Sequence, residues 1–152
     1  MSEPHDDLLH VVNVSGGAAS AVALFRVIER YGVENTRAVF ADTNSEHQDV
    51  YRFIDDIERA AGIRIDRLND GRDIWDVFFA SAFLRLKSGC KASYELKKKP
   101  LRAYRKSLGD PSRVVINVGF GPDEDDRQRR LIEAAKPWRV DFPLCWKPRL
   151  FR

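Results

Sequence analysis

The sequence predicts an α/β protein with a doubly wound, mostly parallel sheet flanked by helices, and three observations predict it. Short β-type runs (residues 11–14, 37–41 and 114–118) alternate with longer stretches whose apolar residues recur at helical spacing. Each run stops at a polar or glycine-rich turn: Ser15-Gly16-Gly17, Asp42-Thr43-Asn44-Ser45 and Gly119-Phe120-Gly121. The connections are long enough to carry a helix, the crossover that parallel strands require.

After the first strand, Ala21, Leu24, Phe25, Ile28 and Tyr31 form one apolar stripe on a helix beginning at Ala18, and Gly32 supplies its stop. Arg37 to Ala41 is the second strand. A helix over Glu46 to Ala61 buries Val50, Phe53, Ile54 and Ile57 and ends at Gly62. Ile63 to Leu68 alternates loosely enough for a third strand. Asp73 to Leu84 reads as a helix apolar on most sides, and therefore as a well-buried one. Ser93 to Leu108 is a basic helix in which Pro100 must sit at a kink or at a helix start. Val114 to Val118 is the fourth strand. Asp123 to Lys136 is a helix whose acidic first turn suits the dipole. Pro137-Trp138 ends it, and Val140 to Phe142 forms a last short strand.

At 152 residues the chain is expected to be one domain over its whole length, 1–152. Its 43% hydrophobic and 32% charged residues are those of a soluble globular protein. No run approaches the roughly 20 apolar residues of a membrane span. The polar, acidic start MSEPHDDLLH is neither a signal nor a transit peptide, so a cytoplasmic location is expected. Cys90 and Cys145 do not make a disulfide framework, which fits a reducing compartment. The net charge of +3 is unevenly placed: Arg85 to Lys106 is densely basic around the single acid Glu95. Such a block is either a solvated face or a surface for a phosphate-rich partner.

In open α/β sheets ligands bind beyond the carboxyl ends of the strands, where all three turns fall. At the first, two glycines permit positive φ and close approach of the backbone, and the helix that follows presents free N–H groups and a positive dipole end. Backbone amides of Gly16, Gly17 and Ala18 would hold an anion there, with the hydroxyls of Ser15 and Ser20 as further donors. Neither GxxxxGK[ST] nor GxGxxG is present, which excludes the two common phosphate loops.

SGGAAS, from Ser15 to Ser20, resembles the PP-loop of the adenine nucleotide alpha-hydrolase-like superfamily, in particular the phosphoadenosine phosphosulfate (PAPS) reductase family. The likeness continues through VFADTNSEHQDVYRF (39–53), CKASYELKKKPL (90–101) and GFGPDEDDRQRR (119–130), in the family's order. It implies a Rossmann-like fold and an adenine nucleotide, either ATP or a PAPS- or AMP-type ligand. The expected chemistry is sulfonucleotide reduction, or ATP-dependent adenylation that releases pyrophosphate for sulfur or nitrogen transfer. Asp42 and Thr43 would border the nucleotide, with Asp42 either a Mg²⁺ ligand or a turn and N-cap residue. Gly119 belongs to the same edge. Lys97 and Lys99 would reach phosphate or sulfate, or lie on plain surface. Arg127 and Arg130 would neutralise substrate charge, or pair with Asp123 and Glu124 at the helix start. Cys90 and Cys145 are either small buried hydrophobes or, with two further cysteines, ligands of an iron–sulfur cluster.

The departures are Ala18 and Ala19, where ATP-cleaving members carry Lys and Asp, and an end at Arg152, where relatives continue into a cysteine-bearing segment. The chain thus reads as a short form or a truncated one. An alternative is a catalytically degenerate module whose basic segment, 85–106, docks nucleic acid (tRNA or DNA) or a sulfur-donor protein. Self-association, or membership of a larger assembly, is expected in either case.

Overall fold

The computed structural model describes residues 7–81, 85–86 and 89–148. In chain order its elements are β1 (Leu9–Asn13), α1 (Ala18–Tyr31), β2 (Thr36–Ala41), α2 (Gln48–Ala61), β3 (Ile65–Leu68) and α3 (Ile74–Ser81). Then come β4 (Arg85–Leu86), β5 (Gly89–Cys90), α4 (Lys91–Ser93), a π-helical turn (Tyr94–Lys98), α5 (Lys99–Ser107), β6 (Val114–Asn117), α6 (Asp125–Ala135) and β7 (Arg139–Asp141).

Five strands form one sheet in the order β3-β2-β1-β6-β7, parallel throughout. Both faces are covered, which explains why the strands read as apolar runs rather than as alternating ones. On one face Val12, Val14, Ala38, Phe40 and Ile65 pack against Leu24 and Val27 of α1 and Ile54 and Ile57 of α2. On the other, Val11, Val39, Val114 and Ile116 meet Leu101, Tyr104 and Leu108 of the α5 segment. From β1 the chain winds through α1 towards β2, and from β6 through α6 towards β7 on the opposite side. The direction reverses between β1 and β6, so their carboxyl ends flank a topological switch point.

Two expectations need correction. The helix expected over 73–84 is described only over Ile74–Ser81, and its last expected residues lie outside the described ones. It is not well buried: Val77 is buried, while Trp75 and Phe79 are exposed. A short helix with one neighbouring surface, Ala92 and Leu96, can bury only one stripe however apolar its other sides are. The antiparallel pairing of β4 with β5 was also unforeseen, because two-residue strands leave no periodic pattern.

Pro100 resolves as a helix start inside a longer helical run. It occupies the first turn of α5, and the N–H of Lys99 reaches back five residues to the carbonyl of Tyr94. Proline lacks an N–H, and its ring would meet the carbonyl four residues back in a continuous α-helix. The wider turn over 94–98 changes that register.

Candidate functional site

The switch-point cleft opens beyond the ends of β1 and β6 and measures about 320 Å³. Its walls are the glycine loop with the first turn of α1 on one side, and Gly119, Phe120, Glu124 and Arg127 on the other. Three local features shape it.

Gly16 has φ +79°, and a Cβ there would lie 2.5 Å from Val50 Cγ1. Only glycine meets both demands cheaply. Ser20, on α1's first turn, is buried and turns its hydroxyl inward: Oγ accepts from the Ser15 amide at 3.0 Å and donates to the Gly17 carbonyl at 2.9 Å. That hydroxyl braces the loop. Gly119 has no room for a side chain, since a Cβ would sit 2.8 Å from the Ala19 carbonyl oxygen and 2.9 Å from the Ser20 amide. The β6 loop consequently lies directly against the start of α1.

The result is a row of backbone donors. Gly17 caps α1 without a side-chain hydrogen bond, and no acidic residue stands in the first turn. Among the described residues the amides of Gly16, Gly17, Ala18 and Ala19 have no protein partner, and residues 17–19 are exposed. Four unmet N–H groups at a positive helix end are a donor set of the kind that suits an anion. The Ser15 side chain is exposed at the same rim, with its Oγ 3.3 Å from that of Ser20.

Across the cleft Arg127 is ion-paired to Glu124 and lies over the Phe120 ring, 4.3 Å from its centroid. Glu124 Oε2 accepts the Gly121 amide at 2.7 Å. That bond first, and Arg127 second, hold its carboxyl below the usual range. Asn13, the last residue of β1, lines the cleft too; a lone polar residue inside the apolar run 11–14 is its sequence signal. Phe120, of the Gly119-Phe120-Gly121 turn, lines it as well.

The remaining candidates lie elsewhere. Arg130 is exposed on α6 and lines none of the cleft. Lys97 pairs with Glu46 at 3.2 Å and Lys99 with Glu95 at 3.4 Å, so both have acids of their own. Thr43 is buried, its hydroxyl 3.2 Å from Glu46 Oε1. Asp42 lines a separate cavity of about 480 Å³ beyond β2 and β3. Its Oδ1 accepts the Tyr51 hydroxyl at 2.7 Å and the Asn44 amide at 2.9 Å, and its Oδ2 accepts Asn69 Nδ2 at 3.1 Å. Burial, then the bond to Asp42, pushes the Tyr51 phenol up to about 12.

Asp42 is therefore a turn-forming residue with its oxygens engaged, a poor fit to Mg²⁺. Among the described residues no group of three or more His, Cys, Asp or Glu side chains is arranged to hold a metal. Cys90 is exposed and Cys145 half-buried beside Phe120 and Gln128, so neither is a buried core residue and the pair does not fit an iron–sulfur cluster.

The family model for the phosphoadenosine phosphosulfate reductase domain matches residues 9–120, from the start of β1 to the loop after β6. The chain belongs to this family. The match takes in the glycine loop and, of the opposite wall, Gly119 and Phe120, with Glu124 and Arg127 lying beyond it, and the fold is the doubly wound one that the resemblance implied. No curated protein matches the chain. No helix among the described residues is long and apolar enough to cross a membrane.

Proposed function

We propose that residues 1–152 work as one nucleotide-binding unit that holds an adenine nucleotide in the switch-point cleft, with a phosphate against the amides of Gly16 to Ala19. The observation that carries this reading is the row of unpartnered amides facing Arg127 across the cleft, with the amides themselves inside the matched family region. Arg127 can exchange Glu124 for a ligand phosphate, because both carboxylate and phosphate suit its planar fork.

Of the two reactions, sulfonucleotide chemistry is the better supported. Cleavage of ATP between its α- and β-phosphates gathers negative charge that a lysine or a metal ion must balance. This loop carries Ala18 and Ala19, and Asp42 is already engaged by neutral donors. A PAPS- or AMP-type ligand asks only for anion binding at the loop. The nucleic-acid alternative is weakened by the pairing of Lys97 and Lys99 with acids.

Titration calorimetry with AMP, ATP and phosphoadenosine phosphosulfate, each with Mg²⁺ and with EDTA, tests the reading. The sulfonucleotide and AMP should bind equally well in both buffers, and ATP should release no pyrophosphate. Absence of binding by all three below ~1 mM would overturn the assignment, and Mg²⁺-dependent pyrophosphate release would favour adenylation instead.

A further inference from the structure

A second cavity, about 370 Å³, opens between α5 and α6 on the opposite face of the sheet from α1. Its chemistry is divided. Leu101, Leu131, Ala134 and Ala135 give it apolar walls, while Lys98, Arg102 and Arg105 line it with positive charge. Those three follow one another at helical spacing of four and three residues, which places them along one side of the helical run.

The charges are unbalanced. Arg72, Lys97 and Lys99, close by in sequence or space, are paired with Asp70, Glu46 and Glu95. Lys98, Arg102 and Arg105 have no carboxylate partner among the described residues. Arg105 is half-buried, and its Nε–H donates only to the Leu101 carbonyl of its own helix, at 3.3 Å. Burial, and then the neighbouring Arg102, disfavour its charge. A guanidinium kept part-buried beside a second guanidinium lacks the counter-charge that such groups normally have.

We infer that this cavity binds a small organic anion, a carboxylate or sulfonate on an apolar body, with Arg102 and Arg105 holding the charged end and Leu101 and Leu131 receiving the body. Its volume lies in the range of about 300–1,000 Å³ common for small-molecule sites. Inorganic sulfate would leave the apolar walls unused, and a phosphodiester chain calls for an open basic track rather than a recess. Asn13 lines both this cavity and the switch-point cleft, so the two sites adjoin at the end of β1. The assignment does not depend on what the cleft holds.

The probe is 8-anilinonaphthalene-1-sulfonate, an aryl sulfonate whose emission rises in apolar surroundings. Emission titrations should give one site per chain, competed by benzoate and left unchanged by an equal concentration of sodium sulfate. Arg105→Gln and Arg102→Gln should each weaken the probe at least about tenfold, with AMP binding measured in parallel and unaltered. Arg102 is exposed, so its variant stays informative if the Arg105 variant fails to fold. Wild-type affinity in the Arg102→Gln protein would overturn the assignment, as would sulfate competing as well as benzoate, or a single-stranded oligonucleotide competing better than either. Loss of AMP binding with the probe site intact would count against the nucleotide reading alone.

Discussion

Ser20 is one hydroxyl in the first turn of a helix, yet it ties Ser15 to Gly17 and fixes where four neighbouring amides point. Ser20→Ala should lower stability by about 1–3 kcal/mol, because the Ser15 amide loses its partner, and should weaken AMP in calorimetry. Ser15→Ala, at an exposed position, should leave urea stability within about 0.5 kcal/mol. Gly119→Ala should cost about 1–3 kcal/mol by forcing the β6 loop off the Ala19 carbonyl, visible as a lower urea midpoint. The phenols give a spectroscopic check. Tyr51 is raised to about 12, by burial and then its bond to Asp42, and Tyr104 likewise to about 12, by burial and then its bond to Asp66. A phenol pKa raised in the folded state means that this state holds the proton more tightly. The stability from these groups is thus complete below about pH 10 and is lost as pH rises through about 12. Absorbance titration at alkaline pH should place Tyr51 and Tyr104 among the late phenols, and Tyr51→Phe should remove one of them. If every tyrosine ionises together near pH 10, both hydrogen bonds are misassigned.

Elements were legible where periodicity met a stop signal. Gly62, in the left-handed conformation, ends α2 where the apolar stripe breaks off, and Gly32, also at positive φ but with an extended ψ, stops α1. Where signals conflicted, tertiary context decided. α3 reads as apolar all round, but its neighbour offers a surface to one stripe, Val77 with Ile74 and Phe78, leaving Phe79 84% exposed. Phe79→Ser should therefore change stability by less than about 0.5 kcal/mol, against about 1–3 kcal/mol for Val77→Ala. Equal losses in chemical denaturation would mean that Phe79 is covered. Among the basic residues of the α5 segment, helix phase sorts one lysine from the next. Lys97 and Lys99 meet Glu46 and Glu95, whereas Lys98 joins Arg102 and Arg105 at the cavity. Composition cannot resolve that sorting, because one residue along a helix turns a side chain by about 100°.

For the molecule as a whole, the strand edge that carries the candidate site was the most legible feature. Parallel strands bring all their carboxyl ends to one edge, so turns far apart in sequence had to gather there. Gly119 proves to lie directly against Ala19 and Ser20, just past the Gly16-Gly17 turn, while Asp42 lies two strands from β6 and lines its own cavity. Which turn completes the proposed anion site depends on strand order, and order rests on pairing that sequence patterns do not encode. Glu124 extends this to pH. Its carboxyl is depressed by the Gly121 amide first and Arg127 second, so its contribution is present above the ordinary glutamate range and is lost as pH falls through its folded value. Glu124→Gln should flatten the acid-side fall in melting temperature, and an unchanged acid limb would remove Glu124 from that account.

The central claim is that four backbone amides after β1 grip a phosphate. Amide chemical shifts of the ¹⁵N-labelled protein, followed during titration with AMP and in parallel with adenosine, test it most directly. The claim predicts that AMP moves Gly16, Gly17, Ala18 and Ala19 most, together with Gly119 and Phe120, and that adenosine, lacking the phosphate, leaves the first four in place. Shifts confined to α5 and α6, or equal for the two ligands at the loop, would contradict it.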